Sequence, residues 1–301
     1  MLNRLLACLG ALFALSCVGC SAPHQGLILA HRGASAYLPE HTLEAYALAF
    51  AQGADYIEPD VVLTRDGVLI CAHDLVMEEV TDVAVAFPGR ARPDGKWYWI
   101  DFTLAEIKTL NKTGRGDAEA GVTGYTVATL DEMLTQVARL NSRLGKNVGV
   151  IPEPKKPSFH QEQGQDLEAA LASTLRRHGY TRRTDRAIIQ CFELDALERL
   201  RHNLGCDLQL VYLVSDMPDA STLDRAAAVA DGLGPKKTLI EDENGQPVAD
   251  GWLLRACRER NLAVYPWTFG GDERVMTRFL RMHRVTGLFT DNPDAGVRAK
   301  R

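Results

Sequence analysis

The sequence lacks any excess of positive charge: 34 Lys and Arg stand against 39 Asp and Glu, a formal net charge of -5 over 301 residues. Without a basic footprint, nucleic acid is disfavoured as a partner. Cysteine is sparse as well. There are seven, widely spaced and with no Cys-x-x-Cys pair, so a disulfide framework is not expected at this length. A Cys191–Cys206 bridge carries no positive signal. No apolar run is long enough to cross a membrane comfortably: the most hydrophobic stretch, Leu5 to Val18, falls short of the ~20 residues a spanning helix needs. There is no internal repeat and no low-complexity tract. What is present is a 46% share of hydrophobic residues, sufficient for a sizeable core in one large α/β domain or two small ones.

The N-terminus reads as a targeting segment. Arg4 precedes the short apolar run, and the small-residue patch Gly19-Cys20-Ser21-Ala22 follows it, the layout of a secretory signal. Residues 1–20 are therefore set apart from the fold. Leu15 to Cys20 also resembles a bacterial lipobox, with Gly19 before a lipid-accepting Cys20 and Cys17 where Leu is usual. An ordinary cleaved signal and a lipoprotein signal that attaches the chain to the membrane through Cys20 both stay open. Export, in a bacterium to the periplasm, is common to the two.

From residue 27 onward, short apolar runs alternate with helical patterns. Leu27–Ala30, Tyr56–Leu63, Val148–Ile151, Ala187–Ile189, Leu208–Tyr212, Val229–Gly232, Leu262–Tyr265 and Gly287–Phe289 read as strands. Between them His41–Ala51, Leu130–Leu144, Asp166–His178, Leu194–Asn203 and Arg274–His283 read as helices, the first with Leu43, Tyr46, Ala47 and Phe50 at one-face spacing. Asp66-Gly67 predicts a hairpin turn into Val68–Cys71. Eight β units alternating with helices predict a parallel sheet, and in this length a TIM (β/α)8 barrel; an open doubly wound sheet is the alternative. Residues 77–126 break the rhythm. They are rich in Gly, Pro and charge, contain Trp97-Tyr98-Trp99, and form an insertion after the second β unit, far longer than an ordinary connection.

The chemistry gathers at strand ends. Glu58 and Asp60, two apart on a strand, point to one side. Two acids facing one another inside a barrel repel unless a proton or cation intervenes, and oxygen-only donors favour a hard divalent ion. The buried character of Ile57 and Val61–Leu63 argues against an exposed, solvated carboxylate. Glu153, in Ile151-Pro152-Glu153-Pro154-Lys155, supplies a third carboxylate at another strand end, where barrel active sites assemble. His31 closes the first strand and His73 the hairpin strand. A single histidine at such a place is more often structural, but two near an acidic site can act as the acid and base of a displacement. Arg32 offers a fork for phosphate and Lys155 a point charge, against the commoner fate of a solvated cation. Together these are the parts that phosphoryl transfer requires.

The ordered set His31-Arg32-Gly33, Pro39-Glu40-His41-Thr42, Glu58-x-Asp60, His73-Asp74 and Glu153-x-Lys155 resembles the glycerophosphodiester phosphodiesterases, and most of all their periplasmic bacterial members, which share the long insertion and Asp101-Phe102-Thr103. The resemblance runs from about Leu27 to Asp294 and includes Gly232-x-Gly234-Pro235, Pro266-Trp267-Thr268 and Gly287–Asp291. It implies a barrel enzyme that releases sn-glycerol 3-phosphate and an alcohol from a small-molecule glycerophosphodiester. It further implies Ca²⁺ (sometimes Mg²⁺) on Glu58, Asp60 and Glu153, acid/base catalysis by His31 and His73, phosphate binding by Arg32 and Lys155, and an insertion capping the glycerol side. Trp267 is expected to line the substrate pocket or to pack at a strand end. Two departures stand out: His41 where many relatives carry Asn, and Pro154 where an aliphatic residue is usual, which bears on how Lys155 points. A lysophospholipase D or sphingomyelinase D activity on the same scaffold is the alternative enzyme. A non-catalytic, metal-binding surface lipoprotein is the alternative from another class.

Overall fold

The protein is described by a computed structural model, which covers residues 26–113 and 124–301. The targeting segment, with Cys20, lies outside the described residues, as do 114–123 of the insertion.

The strands are β1 (Leu27–His31), β2 (Tyr56–Glu58), β3 (Asp60–Leu63), β4 (Leu69–Cys71), β5 (Gly149–Val150), β6 (Glu153–Pro154), β7 (Ile188–Cys191), β8 (Gln209–Val214), β9 (Gly232–Pro235), β10 (Ala263–Val264) and β11 (Gly287–Thr290). Parallel ladders run in the order β11-β1-β2-β5 and β10-β9-β8-β7. Single parallel bridges, Val150 with Ala187 and Phe269 with Thr290, join the two sheets edge to edge. With β2 continued by β3 and β5 by β6, this makes eight parallel positions in one circuit. A helix follows each of them: 43–52, 130–144, 167–177, 194–203, 220–227, 252–259, 273–283 and 293–299. The architecture is the TIM barrel that the alternation predicts.

Period-two alternation explains why the site sits where it does. Leu29, Tyr56, Ile151, Ile188, Val211, Leu213, Tyr265 and Phe289 form one buried cluster drawn from strands all round the circuit. Two residues further along the same faces come His31, Glu58, Glu153, Gln190, Trp267 and Asp291. An apolar plug thus fills the barrel below, and the chemistry-bearing side chains stand on it at the C-terminal rim. Gly232 and Gly234 leave room in this layer: a Cβ at Gly234 would come 2.4 Å from Leu213 Cδ2, and one at Gly232 would come 2.9 Å from the Ala263 carbonyl.

Three local readings shift. Pro59, which cannot donate to a ladder, divides the Tyr56–Leu63 strand. Before it the chain pairs with β1 and β5. After it the chain turns to pair antiparallel with β4 and parallel with β6, Asp60 opposite Glu153. The strand expected at Val229–Gly232 begins only at Gly232, since Val229 and Ala230 still hydrogen-bond back to Ala226. A Gly-Leu-Gly-Pro strand carries no β-branched signal, so the apolar pattern points to its neighbours. Helix 43–52 buries Ala45, Tyr46, Ala49 and Phe50, a stripe offset from the one expected, and Thr42 caps it. The Asp66-Gly67 hairpin forms, closed by mutual Thr64–Val68 pairing with Gly67 at φ +74°. Cys71, Cys191, Cys206 and Cys257 are buried free thiols.

The described part of the insertion builds its own core on the outer face of the hairpin. Met77, Val80, Val83, Trp99, Phe102, Ile107, Leu110 and Val127 pack against Val62, Ile70 and Ala72. Tyr98 stacks on Phe159 at 5.9 Å, which ties the insertion to the segment following β6. Among the described residues, no helix is long and apolar enough to cross a membrane.

Candidate active site

His31, Arg32, Glu58, Asp60, His73, Glu153, Lys155 and Trp267, the full set singled out in the sequence, line one cavity at the C-terminal rim, with Gln190, Phe192, Leu213, Thr268 and Phe289. β1, the split strand, the hairpin and β6 each deliver their pair of polar residues as they leave the barrel.

Glu58, Asp60 and Glu153 are buried and offer one oxygen each within 4.8 Å of one another, the one such cluster among the described residues. Their surroundings differ. Asp60 faces two cations, Arg32 Nε at 3.4 Å and Lys155 Nζ at 3.6 Å, and the His41 imidazole Nε2 at 3.0 Å. Burial pushes its carboxyl up, but Lys155, His41 and Arg32 outweigh burial and hold Asp60 well below the usual range. Glu153 receives Lys155 Nζ at 2.6 Å, yet burial, with Asp60 beside it, pushes its carboxyl up to about 8. Among the described residues, Glu58 receives only the Arg32 backbone N–H at 2.7 Å and Gln190 Nε2 at 3.0 Å. Burial and the two neighbouring carboxylates raise it well above the usual range. Three buried carboxylates within reach of one another, two of them raised by burial and by their neighbours, fit a hard divalent ion. Gln190, whose Nε2 donates to Glu58, has its Oε1 buried and without a hydrogen-bond partner among the described residues.

The cations are fixed. Arg32 donates from one terminal nitrogen to Glu40 at 2.8 Å and from Nε to His31 Nε2 at 3.2 Å. It has φ +58°, the turn being completed by Gly33 at φ +89°. Lys155 points into the site in spite of Pro154, because β6 pairs with β3 through Asp60–Glu153 and Val61–Pro154, and proline there donates nothing the ladder needs. Carboxylate neighbours Asp60 and Glu153 hold the Lys155 ammonium protonated against its burial.

Each histidine has a carboxylate behind it. His31 Nδ1 lies 2.7 Å from Asp291, whose same oxygen accepts from the Ser35 hydroxyl at 3.0 Å. His73 Nδ1 lies 2.7 Å from the adjacent Asp74. With Nδ1–H donated in this way, Nε2 of His73 is turned to the cavity, while Nε2 of His31 accepts from Arg32 Nε. The wall opposite is apolar: Trp267 meets Phe192 edge-on at 5.5 Å and donates its indole N–H to the Gly234 carbonyl at 2.7 Å. Trp267 thus both packs and lines the pocket. Sequence reasoning did not single out Asp291, Asp74, Glu40, Gln190 or Phe192 for a role. Their positions two residues after an inward-facing apolar residue, or next to a site histidine, are the signals that could have found Asp291, Gln190 and Asp74.

Comparison with known proteins agrees with this geometry. The model of the glycerophosphoryl diester phosphodiesterase family matches residues 31–295. The glycerophosphodiester phosphodiesterase of Haemophilus influenzae is 34% identical, covering 90% of this chain and 88% of that protein. That of Treponema pallidum is 33% identical, covering 96% and 95%. In fold, the chain is similar to an Oleispira antarctica phosphodiesterase solved in complex with the product sn-glycerol-3-phosphate, with a TM-score of 0.71, 23% identity, and coverage of 91% of this chain and 96% of that one. It is also similar to the glycerophosphodiester phosphodiesterase of Agrobacterium tumefaciens, with a TM-score of 0.64, 23% identity, and coverage of 91% and 99%. With a family match spanning the barrel from its first catalytic-rim residue to its last helix, the chain belongs to the glycerophosphoryl diester phosphodiesterase family.

Proposed function

We propose that the protein hydrolyses glycerophosphodiesters to sn-glycerol 3-phosphate and an alcohol, using a divalent cation and a pair of histidines. The observation that carries this reading is the single cavity in which both histidines and both cationic side chains surround three buried carboxylates, in a chain of this family.

Glu58, Asp60 and Glu153 would hold the cation, Ca²⁺ or Mg²⁺ by donor chemistry. When bound, it would neutralise charge on the phosphodiester and compensate the carboxylates. Arg32 and Lys155 bind the phosphate oxygens and stabilise the charge that builds on them in the transition state. One histidine takes the proton of the attacking water oxygen as its bond to phosphorus forms. The other gives a proton to the alcohol oxygen as its P–O bond breaks. Asp291 and Asp74 keep each ring turned so that Nε2 meets the substrate. Phe192 and Trp267 supply the apolar side of the pocket, and the insertion caps the face beside His73. The N-terminal residues carry the further proposal that the chain is exported, by cleavage of the signal alone or with lipid attachment at Cys20.

The test is release of glycerol 3-phosphate from glycerophosphocholine in a coupled assay, with and without chelator. Activity should vanish on chelation, return with Ca²⁺ or Mg²⁺, and be lost in His31→Ala and His73→Ala. Turnover that survives both chelation and His31→Ala would overturn the mechanism, and cleavage restricted to intact lysolipids would overturn the substrate. Fractionation with labelled fatty acid, comparing wild type with Cys20→Ala, separates anchored from freely exported chain.

A further inference from the structure

His41 is the most constrained residue at the rim that the mechanism leaves unused. Its side chain is wholly buried, and its backbone has φ +60°, a conformation that costs most residues energy. Its imidazole is bonded at both ends: Nε2 is 3.0 Å from Asp60 Oδ2, and Nδ1 is 2.9 Å from the Tyr46 hydroxyl. An ionised Asp60 can only accept, so Nε2 carries the proton and Nδ1 accepts from Tyr46. The Tyr46 hydroxyl in turn interacts electrostatically with the Cys71 thiol, at the end of β4. A buried line therefore runs Cys71, Tyr46, His41, Asp60, from the hairpin through helix 43–52 to a carboxylate of the cation site.

We infer that His41, held by Tyr46, is a positioning residue that fixes the Asp60 carboxylate in the orientation in which it shares a cation with Glu58 and Glu153. The inference rests on the cation reading above. Three features make His41 suited to this work. It is the donor to Asp60 that carries no fixed charge, so it sets the plane of the carboxylate without competing with a cation, as Arg32 and Lys155 do. Its ring cannot turn without stranding a buried Tyr46 hydroxyl. Its backbone amide donates to the Arg32 carbonyl at 3.1 Å, so the strained turn that carries His41 is the same turn that presents Arg32. Outer partners of this kind typically matter 10- to 100-fold to metal affinity.

The experiment is calorimetric titration of Ca²⁺ into the metal-free protein at fixed pH, comparing wild type, His41→Ala, His41→Asn and Tyr46→Phe, with the melting temperature of each recorded without metal. Asn tolerates the left-handed backbone and can still donate to Asp60. Affinity should fall about 10- to 100-fold in His41→Ala, fall less in Tyr46→Phe, and recover to within about threefold of wild type in His41→Asn. A purely structural role would lower the melting temperature and leave the affinity of folded protein unchanged. A wild-type site whose affinity is equal in Tyr46→Phe and in whichever His41 variants fold overturns this inference alone. Absence of any cation site in wild type overturns the cation reading and this inference with it.

Discussion

The Asp291 carboxylate lies 2.7 Å from Nδ1 of His31, across 260 residues of chain. Ends of the sequence meet here because β1 and β11 are neighbours in the barrel, paired from Leu27–Gly287 to Ala30–Thr290, so the residues that follow the ladder emerge side by side. Asp291 is itself held well: burial would raise its carboxyl, but the bonds from His31 and Ser35 keep it below the ordinary range. It therefore stays ionised and keeps the Nδ1 proton of His31 in place.

Asp291→Ala should lower kcat for glycerophosphocholine by roughly 10- to 1000-fold, a part of what general acid–base catalysis contributes, with little change in KM. Asp291→Asn, which can still accept from Nδ1–H, should lose less. Steady-state kinetics decide the matter, and an unchanged kcat in Asp291→Ala would show that His31 does not depend on this partner.

The carboxylate cluster predicts an unusual dependence on pH. In the metal-free protein Glu153 is raised from 4.5 to about 8 by burial and by Asp60. Between those values the folded chain holds a proton that the unfolded chain has lost, so stability without metal falls as pH rises through the window. Cation binding requires the ionised form, so it releases that proton, and affinity rises with pH over the same range. The rise in melting temperature produced by a fixed Ca²⁺ concentration should be larger at pH about 8 than at about 6. Scanning fluorimetry checks it, and a metal effect independent of pH would mean that Glu153 is ionised before the ion arrives.

Much of this arrangement is legible in the sequence because it depends on period-two alternation and on where apolar runs stop. Glu58 and Asp60 share a side even though Pro59 splits their strand, since the split leaves their spacing intact. What the pattern cannot carry is contact between distant elements. Asp291 behind His31, Gln190 on Glu58, and Tyr46 on His41 each join residues whose neighbourhood is decided by barrel closure or helix packing. The misplaced ninth strand has another cause. Its glycines are chosen for the space they leave beside Leu213 and Tyr265, and small residues chosen for space give no periodic signal.

Gly33 is a place where space and backbone coincide. Its φ is +89°, and a Cβ there would lie 2.8 Å from the backbone carbon of Ala45, at the start of helix 43–52. Gly33→Ala should cost about 2–5 kcal/mol from backbone strain and overpacking together. In denaturant titration the midpoint should fall with the slope unchanged. Because Arg32 donates its backbone N–H to Glu58, cation affinity should fall too. A variant with native midpoint and native affinity would mean that the turn relaxes freely.

Trp99 connects the insertion to the chemistry. It is buried in the insertion's core, and its indole N–H donates to the Asp74 carbonyl at 3.0 Å, while the Asp74 side chain holds His73. Trp99→Phe keeps most of the packing and removes this one bond, a loss of about 1 kcal/mol. Trp99→Ala opens a cavity costing about 3–5 kcal/mol. The insertion's core is separate from the clusters between barrel strands and helices, so the loss should appear as faster proteolysis within residues 75–113 while the barrel stays folded. Trp99→Phe should meanwhile lower kcat severalfold, because Asp74 and with it His73 are held less firmly. Normal kcat in Trp99→Phe would sever the insertion's core from His73. Cleavage throughout the barrel in Trp99→Ala would show instead that the two cores unfold together.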